Sequence, residues 1–111
     1  MQQEIIVVTT NDIAGYEVVE VYGEVFGLIT RSRNMFSTMG AGFKSIVGGE
    51  IGAFTKLLTD SRTEAIERMK QAADEKGANA VLAMRFDAGE IGQNMNEVAA
   101  YGTAVKIQKK G

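Results

Sequence analysis

Residues 48–77, GGEIGAFTKLLTDSRTEAIERMKQAADEKG, decide the fold, because they carry the one long amphipathic helical pattern of this chain. Apolar residues recur there at steps of three and four, which places them on one stripe of a helix with 3.6 residues per turn. Gly77 predicts the end of the helix, since the residue after a helix is often left-handed and glycine adopts that conformation without a steric clash. The stripe consists of Ile51, Phe54, Leu57, Leu58, Ala65, Ile66, Met69, Ala72 and Ala73.

A gap in this stripe at residues 59–62 leaves two interpretations open. Ser61 and Glu64 have the spacing of a capping box, so a second helix could start there. Alternatively, both residues face solvent on one continuous helix, and we favour this because the stripe keeps its phase across the gap. Glu64 precedes Arg68 by four residues, which predicts an ion pair along the helix worth about 0.2–0.5 kcal/mol.

Two strands are predicted before the helix. Residues 4–10, EIIVVTT, form a β-branched run without polar alternation, which is typical of a strand buried on both faces. Residues 16–30 form an unusually long strand whose odd-numbered positions are small and apolar, and these should pack closely on another element. Gly23 and Gly27 predict bulges or a tight bend. A strand of this length could pair with more than one neighbour, including another subunit.

The remaining segments complete an α+β pattern. Residues 31–47 suggest a short helix, residues 79–87 a strand, residues 88–95 a loop and residues 96–108 a last strand with small residues on one face. The order β-β-(short helix)-α-β-β predicts a mainly antiparallel sheet packed by one long helix. We expect one domain over the 111 residues of the chain.

Composition excludes several classes of protein. The net charge of -2 argues against a general nucleic-acid-binding protein, which usually carries a basic patch. Apolar runs are too short for a membrane span, and the first residues lack the features of a signal peptide, so we expect a cytoplasmic protein. The chain has no cysteine and no histidine, which removes the ligands that soft metals prefer.

In the order of its short sequence blocks, the chain resembles the YbjQ-like family of small uncharacterised proteins. The resemblance covers essentially the whole chain, and its specificity comes from the combined order of the blocks. It is carried by GLIT at 27–30, SRN at 32–34, GGE at 48–50, TKLL at 55–58, GANAV at 77–81, MRFD at 84–87 and AYGTAV at 100–105, with Arg62, Ala65, Arg68 and Met69.

This resemblance implies a dodecin-like subunit in a ring oligomer, a pentamer in which added short strands join neighbouring subunits. The family carries a heavy-metal-binding label, although its biochemical role is not established. Because this chain has neither cysteine nor histidine, the label is strained here, and no metal-ligating residues are assigned.

Candidate ligand-binding residues are polar side chains in otherwise apolar surroundings. Arg85 and Asp87 share one face of a strand, which predicts either a buried or subunit-bridging ion pair or an arginine-lined pocket for a small anionic ligand. Glu50, beside the glycines at the helix start, favours the helix dipole and disfavours a bound phosphate. The full set is Arg33, Glu50, Arg62, Arg85, Asp87 and Tyr101.

Three functions follow in order of preference. The first is a homo-oligomeric, non-catalytic ring that binds a ligand or serves as a scaffold, and the second is a metal-ion-binding module. The third is a small-molecule enzyme with an arginine-lined site between subunits. No catalytic residues are assigned, because spacing indicates no acid–base pair or activated nucleophile. No cofactor is indicated by the sequence.

Overall fold

The computed structural model describes residues 4–32, 52–92 and 95–111, and these residues form a four-stranded mixed sheet covered on one face by a helix. The predicted α+β class is confirmed. The predicted short helix falls on residues 31–47, of which Arg31 and Ser32 belong to a strand and the rest lie outside the described residues. The elements are β1 (Ile6–Val7), β2 (Tyr16–Ser32), α1 (Gly52–Glu75), β3 (Ala80–Ile91) and β4 (Met95–Lys109).

The strand order is β1-β3-β4-β2, so β2 lies at one edge of the sheet. β4 pairs antiparallel with both β2 and β3, whereas β1 pairs parallel with β3 through Ile6–Ala80 and Val7–Val81. The prediction of a strand over residues 4–10 buried on both faces was wrong. β1 has two residues and lies at the sheet edge, where Ile6 is 38% exposed.

Residues 88–95 were predicted as a loop, and this was wrong as well. β3 continues to Ile91 and β4 begins at Met95, so the two strands form a long hairpin arm. Gly89, Glu90 and Gly92, whose types favour a loop, are exposed over this part of the arm. A strand that packs little on either face needs few apolar residues, and sequence patterning therefore fails to reveal it.

The helix packs on one face of the sheet, called here the inner face. Val25 and Ile29 of β2 are buried there together with Ala65 and Met69 of α1. Gly27 lies between Val25 and Ile29 on β2. A Cβ atom at Gly27 would overlap the carbonyl oxygen of Ala65. Glycine at position 27 therefore allows strand and helix to approach each other more closely than any other residue would. The predicted small-residue face of β4 lies on this side, as Val98, Ala100 and Ala104.

The helix is continuous through residues 59–62, as favoured from its sequence. It ends in a Schellman motif, in which the Ala78 amide donates to Ala73 O at 3.0 Å and the Gly77 amide donates to Asp74 O at 3.0 Å. Gly77 has a φ of 89°, as its predicted role requires. The interpretation that Ser61 faces solvent was wrong, because it is fully buried, and its hydroxyl has no hydrogen-bond partner among the described residues. Ser61 lies four residues before Ala65, which places it on the buried side of the helix.

Bulges interrupt the alternation of faces along the strands. The β2–β4 register shifts between Val21 and Gly23, where Gly23 has a φ of 100°, as the prediction of a glycine bulge anticipated. As a result, Val19 and Val21, which were predicted to pack inward with Val25, are 49% and 64% exposed. The predicted face was correct only beyond the bulge.

A second bulge in β3 lies between Leu82 and Arg85, where Ala83 has a φ of 55°. Regular alternation along a strand would put Leu82 and Phe86 on one face, but Leu82 joins an apolar cluster on the outer face and Phe86 packs on the inner side. A non-glycine residue in the left-handed region is uncommon, and nothing in the sequence around Ala83 indicates it.

Candidate functional site

The outer face of the sheet, opposite the helix, is covered over half its length. Residues 8–16 cross it, with Val8, Ile13 and Tyr16 packing on the cluster formed by Ala80, Leu82, Val105 and Ile107. The Ala83 amide donates to Thr10 O at 2.8 Å, which fixes this crossing segment at the bulge. Past the bulge at Ala83, no described residue covers the outer face of β2, β3 and β4.

Apolar side chains occupy this uncovered half. Phe26 of β2 and Tyr101 of β4 are register partners, with ring centroids 6.0 Å apart and tilted by 32°. Leu28 is the next outward residue of β2, and its partner Ala99 is small. Phe26, Leu28 and Tyr101 are 54%, 49% and 37% exposed. Full burial of a Phe or Leu side chain is worth about 1.5–3 kcal/mol, so covering the exposed halves of Phe26 and Leu28 would contribute about 1 kcal/mol each.

Two charged residues of β3 border these apolar side chains. Arg85 is the register partner of Tyr101, and Asp87 is the register partner of Ala99, so both belong to the outer face. We call Phe26, Leu28, Tyr101, Arg85 and Asp87 together the outer patch. The structure thus brings together three of the sequence-predicted site residues.

Arg85 uses its guanidinium group on main-chain carbonyls. Its Nη1 donates to Thr9 O at 2.9 Å and to Met84 O at 2.8 Å, which ties the crossing segment to β3. Arg85 and Asp87 are both exposed, so the prediction of a buried ion pair between them was wrong. The spacing of two residues places them on one face but does not bring them into contact. A pair that bridges two subunits, and a role in binding a small anion, stay predictions.

The other predicted site residues are elsewhere. Arg62 lies on the helix side of the sheet, where its guanidinium carbon is 5.1 Å from the centroid of the Phe86 ring. A cation in this position is attracted to the ring face and covers the edge of the core. Arg62 therefore does not join Arg85, which faces the opposite side of the sheet. Arg33 and Glu50 lie outside the described residues.

A row of cations on the helix follows the free edge of β2. Arg68 donates through Nη1 to Leu28 O at 2.8 Å, and Lys76 donates through Nζ to Glu24 O at 3.5 Å. A side chain can reach a strand carbonyl in this way only where no neighbouring strand occupies it. We therefore assign both carbonyls to the open edge. Arg68 and Lys76 cover the acceptors that an incoming strand would need between residues 24 and 28.

Glu64 contacts Arg68, one of these two cations, and also Arg31. Its Oε2 accepts from Arg31 at 2.8 Å and its Oε1 accepts from Arg68 at 3.3 Å. The predicted pair between Glu64 and Arg68 is thus confirmed, and Arg31 of β2 joins it. Because Arg68 and Glu64 are 57% and 42% exposed at the side chain, solvent screens this pair and it contributes little alone.

The first part of β2, before residue 22, differs from the part whose carbonyls Arg68 and Lys76 cover. Val18, Val19 and Val21 are 42%, 49% and 64% exposed, so apolar side chains project from this edge strand on both sides of its bulges. Within the described residues, no strand pairs with its outer edge. Exposed apolar edge strands commonly pair with another chain.

Two clefts lie away from the outer patch. A polar cleft of about 430 Å³ is formed by the outer side of the helix and by Glu4 and Ile5. A more apolar cleft of about 330 Å³ lies between Leu58 and the hairpin arm. As the described residues form them, neither of these two clefts is lined by Arg85, Asp87 or Tyr101.

A heavy-metal site does not fit the described residues. The sequence has no thiol or imidazole, and the described part of the chain has no group of three carboxylates close enough to share an ion. Three of the four carboxylates of the polar cleft are in ion pairs, since Glu64 contacts Arg68 while Glu4 and Glu67 contact Lys70 at 3.9 and 3.6 Å. Soft metal ions prefer sulfur and nitrogen donors over such oxygens.

Sequence reasoning missed two features, the apolar contacts of the outer patch and the contact of Arg68 with β2. Phe26 and Leu28 were placed on one face of β2, but their pairing with Tyr101 depends on a register that only the bulges define. The role of Arg68 was also missed, because sequence spacing predicts its partner one turn away and not a carbonyl 40 residues distant.

Comparisons with known proteins agree on one family. The YbjQ family model, described as "Putative heavy-metal-binding", matches residues 5–108. The chain is 59% identical over 107 residues to the UPF0145 protein YjfJ of Lactococcus lactis, covering 96% of this chain and 98% of that protein. It is 53% identical over 108 residues to a UPF0145 protein of Streptomyces griseus, covering 97% and 89% of the two chains.

A solved structure shares the fold at low identity. The chain matches a Pediococcus pentosaceus protein of unknown function that belongs to the DUF74 family, with a TM-score of 0.60 and 16% identity. The match covers 94% of this chain and 98% of that one. In the part of our chain that is described, no helix has the length and apolar character needed to cross a membrane.

Proposed function

This chain belongs to the YbjQ family, and we propose that it works as a non-catalytic, self-assembling module, a ring of five copies joined through the edges of their sheets. The observation that carries the proposal is the first part of β2, where Val18, Val19 and Val21 are exposed on an edge strand. Burying these side chains against another copy supplies the apolar contact that most associations require.

A second free edge on the same sheet supplies the matching surface. β1 pairs with only the first residues of β3, so no strand in the described part of the chain pairs with residues 86–89 on that side. Two different edges on one subunit can form a head-to-tail contact, which closes into a ring when its rotation fits. β2 and β3 both run antiparallel to β4, so a strand pair between copies would be parallel. The pentamer itself is what the family resemblance implies.

Arg68 and Lys76 restrict where this contact forms. Because they cover the carbonyls of Leu28 and Glu24, strand addition in the middle of β2 would displace two hydrogen bonds. The part of the strand before residue 22 carries no such cover among the described contacts. We therefore propose that copies join at this first part of β2.

The test is the mass of the assembly in solution. Native mass spectrometry and sedimentation of the purified protein should show a discrete assembly containing a multiple of five 12.0-kDa chains. Val19→Lys should raise its dissociation constant at least about tenfold, because a charge would be buried in an apolar contact. Leu58→Lys is the matched control, since Leu58 is 48% exposed and Val19 is 49% exposed, and it should leave the mass unchanged.

A stable monomer at micromolar concentration would refute the proposal. So would a Val19→Lys variant that assembles as tightly as the unmodified protein. The same spectra, recorded with Zn²⁺ and Mn²⁺, address the metal-binding alternative, for which stoichiometric and saturable mass shifts are required.

A further inference from the structure

We infer that the outer patch is a second contact between copies of this chain, in which two rings meet face to face. It rests on the proposed ring, but it uses another surface and another symmetry. Ring closure involves sheet edges, whereas the outer patch lies on the face of the sheet, beyond the segment that covers the other half. The occupant we assign to this face is therefore the same face of a second copy.

Charge complementarity identifies the occupant. The patch carries one cation and one anion, Arg85 and Asp87, two residues apart on β3 and bordering the apolar side chains. When a surface meets its own copy across a two-fold axis, residue i faces residue j and residue j faces residue i. Arg85 of one copy would then face Asp87 of the other, twice, with Phe26, Leu28 and Tyr101 beside the two pairs on the neighbouring strands.

The unused hydrogen-bonding capacity of both residues agrees with this arrangement. Arg85 donates to two carbonyls through Nη1 alone, and a guanidinium has five donor hydrogens. Asp87 is exposed, and the described contacts give it no ion pair within its own subunit. Arg85 and Asp87 are both exposed to solvent and accessible to a second copy. The subunit-bridging ion pair that the sequence suggested would thus form between β3 strands of different copies.

The size of the patch explains why the contact depends on the ring. Three strands about 4.8 Å apart and six residues at about 3.3 Å each give an open area of roughly 300 Å² per subunit. A stable interface between two proteins usually buries about 800 Å² per partner. One patch is therefore too small to hold two subunits together. Five patches presented by one ring act together, because the first contact raises the effective concentration of the others.

The experiment compares the unmodified protein with face variants by native mass spectrometry and sedimentation. The unmodified protein should contain ten chains, and Asp87→Arg should weaken the association of two rings at least about tenfold and leave five, because like charges would then meet across the two-fold axis. The exchange variant, Arg85→Asp with Asp87→Arg, should restore ten.

Leu28→Asp tests the same face without changing Arg85, which also anchors the crossing segment. It should likewise leave five chains, and circular dichroism should show an unchanged fold. Leu58→Asp is its control, because Leu28 and Leu58 are 49% and 48% exposed and only Leu28 belongs to the patch. This control should retain ten chains.

The contrary results distinguish failure of the face contact from failure of the ring. An unmodified protein of five chains overturns the face contact and leaves the proposed ring standing, whereas a monomer overturns both. Ten chains in Asp87→Arg or Leu28→Asp would also overturn the face contact. Monomers in either variant would overturn it too, because the patch would then belong to the ring interface. An exchange variant with a native spectrum and only five chains would refute the reciprocal Arg85–Asp87 pairing.

Discussion

Replacing Gly27 with alanine tests the close approach of β2 and the helix. A Cβ atom at this position would overlap Ala65 O and would lie 2.5 Å from Met69 N. Both atoms are helix backbone, so no side-chain rotation can relieve the contact. The helix or the strand would have to move by about 1 Å, in a core where interiors are close-packed. Overpacking of a core typically costs about 1–3 kcal/mol, and we expect the upper end of this range.

Urea denaturation followed by far-ultraviolet circular dichroism measures this cost at fixed protein concentration, because the stability of an oligomer depends on concentration. Gly89→Ala is the matched control, since no atom of the described part of the chain lies within 4 Å of a Cβ atom there and its φ is not in the left-handed region. It should change the free energy of unfolding by less than about 0.5 kcal/mol. A Gly27→Ala variant destabilised by less than about 1 kcal/mol would show that the helix can withdraw easily and would refute this reasoning.

Three further predictions concern stability. Asn79→Ala should cost about 2–3 kcal/mol in chemical denaturation, because its side chain donates to Ile107 O at 3.0 Å and accepts from the Ile107 amide at 2.8 Å. Gly77→Ala should cost about 1–2 kcal/mol, since its φ is 89°, and an effect no larger than that of Gly89→Ala would contradict this. Desolvation raises the pKa of the Tyr22 hydroxyl above its ordinary 10.0, so the unfolded chain ionises first as pH rises. The free energy of unfolding should therefore fall less steeply above pH 10.0 in Tyr22→Phe than in the unmodified protein. Equal pH profiles of the two proteins would contradict this.

The helix and its end could be predicted from the sequence because both depend on local rules. The 3.6-residue spacing survives across residues 59–62, and Gly77 ends the helix for a reason that concerns its own backbone. Ser61 was misplaced because polarity suggests solvent, whereas its burial follows from the turn that it shares with Ala65. Its position four residues before Ala65 was a signal that should have outweighed its polarity.

Strand faces were predicted correctly only between bulges. One extra residue in a strand reverses the face of every residue after it, so a bulge near Gly23 or Ala83 reverses a whole segment of the prediction. Gly23 gave a sign of its bulge, but Ala83 gave none. Its left-handed conformation is held by tertiary contacts, among them the hydrogen bond from its amide to Thr10 O.

The candidate site was predicted in part. Arg85, Asp87 and Tyr101 were chosen as polar residues on apolar strands, and the register brings them to one face. Arg62 was predicted in the same set, and the structure places it beside Phe86 on the helix side of the sheet, which its position in the sequence does not indicate. Partners that are distant in sequence, such as Arg68 and Leu28 O, depend on how the helix crosses the sheet.

The cover that Arg68 and Lys76 give to β2 has a consequence for the order of folding and assembly. Both cations belong to the helix or its end, so the carbonyls of Leu28 and Glu24 are protected only after the helix has docked on the sheet. A newly made chain whose helix has not yet docked exposes the full length of β2 to other chains, and such edges are where misassembly begins. Helix docking is therefore the step after which the middle of β2 is protected and strand pairing is directed to its first part.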